Sequence, residues 1–398
     1  MSSQDTQVSV CAMYMRGGTS KGVFFVPADL PASCQQPGPA RDAFMLRAIG
    51  SPDPYEKHID GMGAATSSTS KVVLISRSER PDCDVDYLFG AVSIESPVVD
   101  WSGNCGNLTS AVGPFAIHRG LVQAPRDGIA TIRIWQANLG KVIISHVPVV
   151  NGQVQELGDF ELDGVTFPAA EIKLEFLDPG ADGDEAEGGA MFPTGNRLDQ
   201  LEVPGVGTVE ATLINAGNPA IFVDAKTLGL KGTESQADIN GNAELLSRCE
   251  AIRAYATVAM GLARTAEEAT RSRPHTPKLA FVTGPQTYTA SSGKVVRAED
   301  IDIVARIFSM GKLHHAMTGT GAVAIAVAAS IPGTVVSRAA PHGHASEVRF
   351  GHPSGSLRVG AEARQEGEDW IVSKATMSRS ARRLMDGVIF VPESVLQR

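Results

Sequence analysis

One cysteine of this chain lies in a turn whose neighbours are suited to holding an anion. In the stretch WSGNCGNLTSAVGPFAIHRG, residues 101–120, Cys105 stands between two Gly-Asn pairs, just ahead of a segment that predicts a helix over residues 108–119. The first N–H groups of a helix lack intrahelical partners and carry partial positive charge, so they can bind a carboxylate without basic side chains. They also favour a thiolate, which would make Cys105 a proton-transfer group. The alternative is a small buried apolar residue beside a tight turn.

A related arrangement recurs in the second half of the chain. The sequence MTGTGAVAIAVAAS, residues 317–330, again puts glycines and small hydroxyl residues ahead of an apolar segment that predicts a helix over residues 322–330. Apolar residues in both segments recur at the spacing of one helix face. Two related halves that each aim a glycine-lined helix N-terminus would meet at a shared cleft. The repeat favours a ligand-binding role for Cys105 over simple packing.

A lysine follows a run of hydroxyl side chains, at the point where an apolar strand is predicted to begin. The sequence IDGMGAATSSTSKVVLI, residues 59–75, places Ser67, Ser68 and Thr69 just before Lys71. An amine that enters a buried strand loses contact with water, and this helps it to release its proton and act as a base near neutral pH. A solvated lysine at the end of a strand is the alternative that this stretch leaves open.

Other stretches hold polar residues that could bind a ligand or a metal. The sequence MRGGTSKGVFF, residues 15–25, resembles an anion-binding turn, but it lacks the spacing of a phosphate loop, and a plain hairpin turn would also fit. The adjacent His314 and His315 do not have the i, i+4 spacing of a metal-binding helix, so we expect one to contact substrate and the other to pack. The loop RAAPHGHASE, residues 338–347, is more simply a solvated loop than a metal site. We therefore predict no metal.

Composition limits the class of protein. The chain has 398 residues and a formal net charge of -9, with 43% hydrophobic and 20% charged residues, as in an ordinary folded protein. An acidic chain without a Lys/Arg-rich tract is poorly suited to binding nucleic acid. The polar start and the lack of a long apolar run predict neither a signal peptide nor a membrane span, so we expect a cytoplasmic protein with no membrane partner. The five scattered cysteines are expected to be free thiols.

The pattern of elements predicts an α+β fold without regular βαβ units. Runs rich in β-branched and aromatic residues predict strands over residues 71–78, 84–94, 130–137 and 141–150. Apolar residues at helical spacing predict helices over residues 40–49, 108–119, 242–260, 298–309 and 322–330. The acidic, glycine-rich segment PGADGDEAEGG, residues 179–189, predicts a linker or exposed loop. We place a boundary there, which gives domains 1–185 and 186–398.

Seven sequence blocks follow one another along nearly the whole chain, from about Met13 to Val391. They are MRGGTSKGVFF, IDGMGAATSSTSK, DWSGNCGNLTSAVGPFAI, MFPTGN, NAGNP, MGKLHHAM and GHPSG. Together they resemble the PrpF family, the 2-methylaconitate cis–trans isomerases, whose relatives include 4-oxalomesaconate tautomerases. The resemblance implies a diaminopimelate epimerase-like fold, with two pseudo-symmetric domains that each wrap a mixed β-sheet around a central helix. The last strand, near GVIFVP, is then expected to return to the first domain.

The resemblance also implies where substrate binds and which residues act. The active site would lie in the cleft between the domains, with the two central helix N-termini directed at the substrate. Lys71 matches the family's catalytic base, and Cys105 matches its active-site cysteine. The other residues that we expect around the substrate are Arg16, Thr19, Ser20, Lys21, Gly63, Ser67, Ser68, Thr69, Asn104, Gly106, Asn107, Lys278, His314, Met317, Thr318, Gly319, Thr320 and Gly321.

One departure from the epimerase pattern bears on the reaction. Cofactor-free epimerases of this fold place a thiol in each domain, whereas the motif of the second half here begins with Thr318. A hydroxyl is far less acidic than a thiol and cannot replace it unaided as a base. One base that removes and returns a proton suits isomerisation of a double bond. Loss of an allylic proton gives a dienolate, which rotates and is reprotonated without any cofactor.

The sequence therefore predicts a cofactor-free isomerase of an unsaturated tricarboxylate, namely 2-methylaconitate in the 2-methylcitrate cycle of propionate catabolism. Three alternatives stay open: a 4-oxalomesaconate keto–enol tautomerase, an epimerase acting at a saturated carbon, and a carboxylate-binding protein without catalysis. Retention of both Lys71 and Cys105 argues against a loss of catalysis. The expected partner is a small tricarboxylate, with a homodimer as a possible assembly.

Overall fold

The computed structural model describes residues 6–180, 190–340, 346–367 and 369–397. Two features of the sequence analysis lie outside the described residues. They are residues 181–189 of the predicted linker, with the predicted domain boundary, and residues 341–345 of the loop with two histidines. The division into domains 1–185 and 186–398 therefore stays a prediction. We call the described residues up to 180 the N-terminal half and those from 190 the C-terminal half.

The N-terminal half combines a β-sheet with helices. Its strands are β1 (Gln7–Gly17), β2 (Ser20–Phe25), β3 (Lys71–Arg77), β4 (Val85–Val92), β5 (Val99–Asp100), β6 (Gly128–Gln136), β7 (Lys141–Val150), β8 (Gln153–Val154) and β9 (Ile172–Leu177). Its helices are α1 (Pro39–Ile49) and α2 (Gly106–His118). The strands and helices predicted in this half are therefore present, with ends that differ by one or two residues.

The C-terminal half contains the remaining elements. Its strands are β10 (Asp199–Val203), β11 (Gly207–Ala216), β12 (Asn218–Asp224), β13 (Lys278–Thr283), β14 (Tyr288–Thr289), β15 (Val295–Val296), β16 (Ile303–Ser309), β17 (Lys312–Leu313), β18 (Glu347–His352), β19 (Gly355–Glu366), β20 (Asp369–Arg379) and β21 (Ala381–Pro392). Its helices are α3 (Gln236–Asn240), α4 (Ala243–Ala259), α5 (Ala266–Ser272), α6 (Gly319–Ser330) and α7 (Val335–Ala339). The helices predicted over residues 242–260 and 322–330 are present as α4 and α6.

The helix predicted over residues 298–309 is wrong. A 3-10 turn at Ala298–Asp300 is followed by β16, in which every residue is buried. Because both faces of this strand are covered, its sequence IVARIFS is a nearly continuous apolar run and does not alternate. Periodicity cannot distinguish such a run from a buried helix. The β-branched residues Ile303, Val304 and Ile307 are the signal that favours a strand.

Strand pairing follows the same order in the two halves. In the N-terminal half the order across the sheet is β21-β1-β2-β3-β4-β6-β7-β9, in which β2–β3 and β4–β6 are parallel and the other pairs are antiparallel. In the C-terminal half the order is β10-β11-β12-β13-β16-β18-β19-β20, in which β12–β13 and β16–β18 are parallel. The pattern matches strand by strand, so each half is one copy of a structural repeat.

Two strand pairs connect the halves into a continuous sheet. The strand β9 pairs antiparallel with β20, so the last strand of one copy adjoins the last strand of the other. The strand β21 pairs antiparallel with β1 along its whole length, from Gln7 opposite Pro392 to Gly17 opposite Ala381. The end of the chain thus supplies a strand to the sheet of the N-terminal half.

Each half wraps its sheet around one helix. Every residue of α2 from Gly106 to Ala116 is buried, and so is every residue of α6 from Gly319 to Ala329. A helix that is covered on all sides needs no polar face, which explains why both helices consist almost entirely of apolar and small residues. The two helices and the inner faces of both sheets share one hydrophobic cluster. On the outer faces, α1 and α4 each pack on a separate cluster.

The N-termini of the two central helices touch each other. A β-carbon built on Gly106 would lie 2.7 Å from the carbonyl carbon of Gly319, and one built on Gly319 would lie 2.4 Å from the carbonyl carbon of Gly106. Only glycine allows two backbones to approach this closely. The contact brings Cys105, just before α2, into the same region as Thr318, just before α6.

We expect the substitution Gly319→Ala to destabilise the protein. Alanine suits a helix, but its methyl group has no space at this contact, so the free energy of unfolding should fall by about 1–3 kcal/mol. Urea denaturation measures the change. Gly284→Ala is the matched control, because a β-carbon there would meet only the Ala339 backbone oxygen, at 3.7 Å. Equal losses in the two variants would show that the helix contact is not the cause.

Candidate active site

Lys71 and Cys105 are in direct contact although they belong to different elements. Lys71 is the first residue of β3, and Cys105 immediately precedes α2. The Lys71 amine donates to the Sγ atom of Cys105 and to the Oγ atom of Ser20, both at 3.0 Å. The lysine is 5% exposed and the cysteine 6% exposed. The structure therefore holds an amine and a thiol together at the N-terminus of a buried helix.

The surroundings of Cys105 favour its ionised form. Burial opposes ionisation of the thiol, but Lys71, the backbone N–H of Leu108 and the more distant Lys278 together outweigh burial. The pKa of Cys105 is therefore lowered from its ordinary value. The Lys71 amine also lies 5.7 Å from the ring centre of Phe89, whose face attracts a cation. The 3.0 Å contact therefore joins two groups that can exchange a proton.

Asparagine side chains fix the two helix N-termini against each other. The Nδ2 atom of Asn107 donates to the backbone oxygen of Met317 and to the Oγ1 atom of Thr19, both at 3.0 Å. The side chain of Asn218 exchanges two hydrogen bonds of 2.9 Å with the backbone of Asn104. The bond from Asn107 to the Met317 backbone and the bonds between Asn218 and the Asn104 backbone each join the N-terminal half to the C-terminal half. They hold α2 and α6 in one relative position.

Arg379 is a buried residue of this region that the sequence analysis missed. Its Nε atom donates to the Oδ1 atom of Asn107 at 3.0 Å and so orients that amide. Burial lowers the pKa of Arg379 to about 10, with nearby Cys105 acting in the opposite direction. The guanidinium adds positive charge beside the helix N-termini. The signal in the sequence is strand alternation, because the period that points Ala375 and Met377 inward points Arg379 inward as well.

A cleft between the two halves opens beside the lysine–thiol pair. Its volume is about 860 Å³, and Ser20, which accepts a hydrogen bond from Lys71, forms part of its wall. The predicted substrate-binding residues on this wall are Arg16, Thr19, Ser20, Lys21, Ser67, Ser68, Thr69 and His314. Residues 15–25 form the hairpin of β1 and β2, and the turn of this hairpin lies in the cleft wall.

Basic side chains stand on the N-terminal side of the cleft. Arg16, Lys21 and Arg382 line it, and three acidic residues line the cleft as well, namely Glu56, Glu95 and Glu156. The Nη1 atom of Arg16 donates to two backbone oxygens, at 3.1 and 2.9 Å, which orient its guanidinium. Burial and the nearby Arg382 lower the pKa of Arg16 to about 10, so it stays a cation at neutral pH. This part of the wall is suited to carboxylate groups.

His314 presents an unpaired donor at the cleft. Its Nδ1 atom accepts a hydrogen bond of 3.0 Å from the backbone N–H of Ala316, so the proton of the neutral ring lies on Nε2. That Nε2 atom is buried and has no hydrogen-bond partner among the described residues. Burial, then the charges of His315 and Lys71, hold the pKa of His314 well below its usual range. The ring stacks on His315 at 4.7 Å. His314 is therefore uncharged, and its Nε2–H group could donate a hydrogen bond to a ligand.

Lys278 is a second buried amine near the lysine–thiol pair. The residue is 3% exposed, and its amine donates to the backbone oxygen of His275 at 3.1 Å and to the Oγ atom of Ser309 at 3.4 Å. Burial and the charge of Lys71 lower the pKa of Lys278 to about 7, against the opposite effect of Cys105. Ser309 lines the cleft and so connects this amine with it.

The remaining predicted residues lie behind the cleft wall. The first turns of the two central helices contain Gly106, Asn107, Gly319, Thr320 and Gly321. Thr318 caps α6 by accepting a hydrogen bond of 3.1 Å from the backbone N–H of Gly321. Gly63 lies apart from this group, against the end of α1, where a β-carbon would be 2.8 Å from the backbone oxygen of Ile49. A glycine at position 63 allows the chain to pack closely against Ile49.

The described residues show neither a metal-binding cluster nor a helix that could span a membrane. In that part of the chain, no group of three or more His, Cys, Asp or Glu side chains is arranged to hold a metal ion. No described helix combines the length and the hydropathy needed to cross a bilayer. The absence of a metal and of a cofactor from the reaction stays a prediction.

Known proteins resemble this chain over nearly its whole length. The family model described as PrpF protein matches residues 7–392. The 2-methyl-aconitate isomerase of Shewanella oneidensis is 63% identical over 390 residues, which cover 97% of this chain and 98% of that protein.

Solved structures show the same fold. Methylitaconate-delta-isomerase superposes with a TM-score of 0.75 at 39% identity, over 98% of this chain and 97% of that one. A hydroxyproline epimerase of Agrobacterium vitis shares the fold alone, with a TM-score of 0.55 at 11% identity over 97% and 93% of the two chains. The predicted epimerase-like α+β fold is thus confirmed. Because the family model and the relatives span nearly all of it, the chain belongs to the PrpF family.

Proposed function

We propose that this chain is a cofactor-independent isomerase of an unsaturated tricarboxylate, 2-methylaconitate, in the 2-methylcitrate cycle. The observation that carries the proposal is the 3.0 Å contact between the Lys71 amine and the Cys105 sulfur, at the point where two helix N-termini meet. A similar protein, 63% identical to this chain, is named 2-methyl-aconitate isomerase. The lysine and the thiol can transfer protons, and the helix N-termini can bind a negatively charged group.

The cleft suits a substrate with several carboxylates. Basic groups on its wall, Arg16 and Lys21 among them, can pair with carboxylates that reach the N-terminal side. The free Nε2–H of His314 can donate to another carboxylate oxygen. The partial positive charge at the N-termini of α2 and α6 can stabilise the negative charge that develops on an enolate-like carboxylate. Each carboxylate of the substrate would then have a separate partner.

The chemistry needs one proton to be taken from the substrate and one to be given back. We assign the removal of the allylic proton to Lys71, which first passes its own proton to the thiolate of Cys105 across their 3.0 Å contact. The dienolate that results has a weakened double bond, so it can rotate before a proton returns. Cys105 either donates that proton or positions the substrate beside Lys71. No step requires a metal or an organic cofactor.

Turnover with a panel of carboxylates tests the proposed function. We expect purified protein to isomerise 2-methylaconitate faster than 4-oxalomesaconate, which a keto–enol tautomerase would prefer. Proline and other saturated substrates test for an epimerase, and calorimetry of the same compounds detects binding without turnover. Faster reaction with 4-oxalomesaconate would replace the proposal with the tautomerase. Binding of tricarboxylates with no reaction of any of them would show a carboxylate-binding protein.

The roles of Lys71 and Cys105 are tested by two substitutions. We expect Lys71→Ala to lower kcat by about 10²–10⁴-fold, the usual contribution of a general base. Carboxylate binding should remain measurable in that variant, because the helix N-termini still hold much of the anion. Cys105→Ser keeps a small donor but loses the acidic thiol, so its loss of kcat should be smaller if sulfur only positions the substrate. Steady-state kinetics measures kcat, and calorimetry measures carboxylate binding.

A lysine far from the cleft controls for the loss of a charge. Lys226 is exposed in a 3-10 turn after β12, and Lys226→Ala should leave kcat unchanged. The assignment of the base would be reversed if Lys71→Ala kept near-normal turnover and Cys105→Ser were inactive. In that case the thiolate would remove the proton, and the lysine would serve to hold the thiol ionised.

The free donor of His314 gives a prediction about substrate binding. We expect His314→Ala to raise KM about tenfold, with a smaller effect on kcat, since a hydrogen bond to a charged group is lost. The increase should be the same from about pH 6 to pH 8, because a histidine with a pKa held this low is uncharged throughout that range. His146→Ala, on β7, is the control. A KM effect that grows toward low pH would show that His314 binds as a cation.

A further inference from the structure

Lys278 occupies in the C-terminal half the position that Lys71 occupies in the N-terminal half. Lys71 begins β3, which is parallel to β2 and antiparallel to β4. Lys278 begins β13, which is parallel to β12 and antiparallel to β16. Each amine donates to a serine that lines the cleft, Lys71 to Ser20 at 3.0 Å and Lys278 to Ser309 at 3.4 Å. The structural repeat therefore places a lysine at the same position in each half, and each lysine contacts a serine of the cleft wall, although the two serines come from strands that are not equivalent.

Packing alone does not explain why the Lys278 amine is buried. Lys278 is buried, and its hydrogen-bond partners are the backbone oxygen of His275, the ring of His275 and the hydroxyl of Ser309. In the described part of the chain, no carboxylate lies within ion-pairing distance of it. The nearby carboxylate of Asp100 instead accepts from the backbone N–H groups of Ser102 and His275. A buried amine with neutral partners is unfavourable for stability, which points to a role in the reaction.

We propose that Lys278 and Ser309 return the proton to the substrate, so that removal and return are carried out by different halves of the chain. The proposal rests on the function proposed above and assigns its second proton transfer. Ser309 is the catalytic residue of this pair, because it lines the cleft in which the substrate would bind. Lys278 acts through Ser309 as the source of the proton.

The proton balance of this scheme is closed. Lys71 takes a proton from the allylic carbon, which breaks one C–H bond and leaves the dienolate. The hydroxyl of Ser309 gives its proton to a carbon of the dienolate and forms the new C–H bond, and the Lys278 ammonium gives a proton to the Ser309 oxygen. The Lys71–Cys105 pair has then gained one proton and Lys278 has lost one. Exchange with water in the open cleft resets both amines before the next turnover.

The electrostatic surroundings set the pH range in which Lys278 can donate. The charged and titratable groups that face it are Lys71, Cys105, Asp100, Arg253, His275 and His314. With the two histidines uncharged, burial and the cations Lys71 and Arg253 outweigh the Cys105 thiolate and the Asp100 carboxylate, and the pKa of Lys278 is about 7. The ammonium form is therefore lost as pH rises through neutrality. We expect kcat/KM of the unmodified enzyme to fall above about pH 7, since this parameter reports groups of the free enzyme.

Substitution of Lys278 tests the proposal. Lys278→Met should lower kcat by about 10²–10⁴-fold and remove the fall of kcat/KM above neutral pH. Lys278→Arg keeps the charge but cannot release a proton, so it should remain slow at every pH. Ser309→Ala should lower kcat while leaving KM near its normal value. Lys226→Met, at an exposed lysine, is the matched control and should behave as the unmodified enzyme.

Several outcomes would overturn this assignment. Rescue of turnover by Lys278→Arg would show that the residue only supplies positive charge for a carboxylate. Normal kcat and an unchanged pH profile in both Lys278→Met and Ser309→Ala would show a purely structural role. Transfer of deuterium from the allylic carbon of the substrate into product during the first turnover would show that Lys71 returns the same hydrogen. Each of these results leaves turnover of 2-methylaconitate intact, whereas failure of the unmodified enzyme to turn it over contradicts the proposed function instead.

Discussion

The contact between Gly106 and Gly319 is the constraint on which the site depends. It brings two helix N-termini together in the interior, and each carries a partial positive charge. Ends of like charge repel each other, so the arrangement is stabilised when an anion lies beside them. The thiolate of Cys105 is such an anion, which connects the lowered pKa of this thiol with the way the halves meet. Substrate carboxylates would strengthen the same stabilisation.

Buried cations extend this positive field. Lys71, Lys278 and Arg379 come from three different strands, and all interact electrostatically with the single sulfur of Cys105. Because two amines in one low-dielectric region disfavour each other's charge, Lys71 contributes to the lowered pKa of Lys278. An overall acidic chain thus concentrates positive charge at one place. This local excess is what a small polyanion needs, and it requires no basic tract in the sequence.

Sequence patterns predicted the parts of this protein whose signals are local. Glycines ahead of apolar segments predicted both central helices, and the lysine at the start of an apolar run predicted a buried amine beside the site. The two-sided burial of β16 removed the alternation that identifies strands, so its seven residues were interpreted as helix. The contacts of Arg379, Asn218 and Ser309 depend on strands that are distant in sequence. Alternation can mark Arg379 as an inward-facing residue, but only the pairing of strands shows which partners these three residues meet.

The pairing of β21 with β1 has a consequence for how the protein is made. These strands lie at opposite ends of the chain, with Val8 opposite Val391, and a ribosome releases the C-terminal partner last. The sheet of the N-terminal half therefore stays one strand short, with one edge of β1 unpaired, until β21 has been synthesised. Contacts of such long sequence separation also form slowly, because a large loop must close first. Completion of this sheet thus waits for the synthesis of β21, and a chain without β21 would leave an edge of β1 free to pair with other chains.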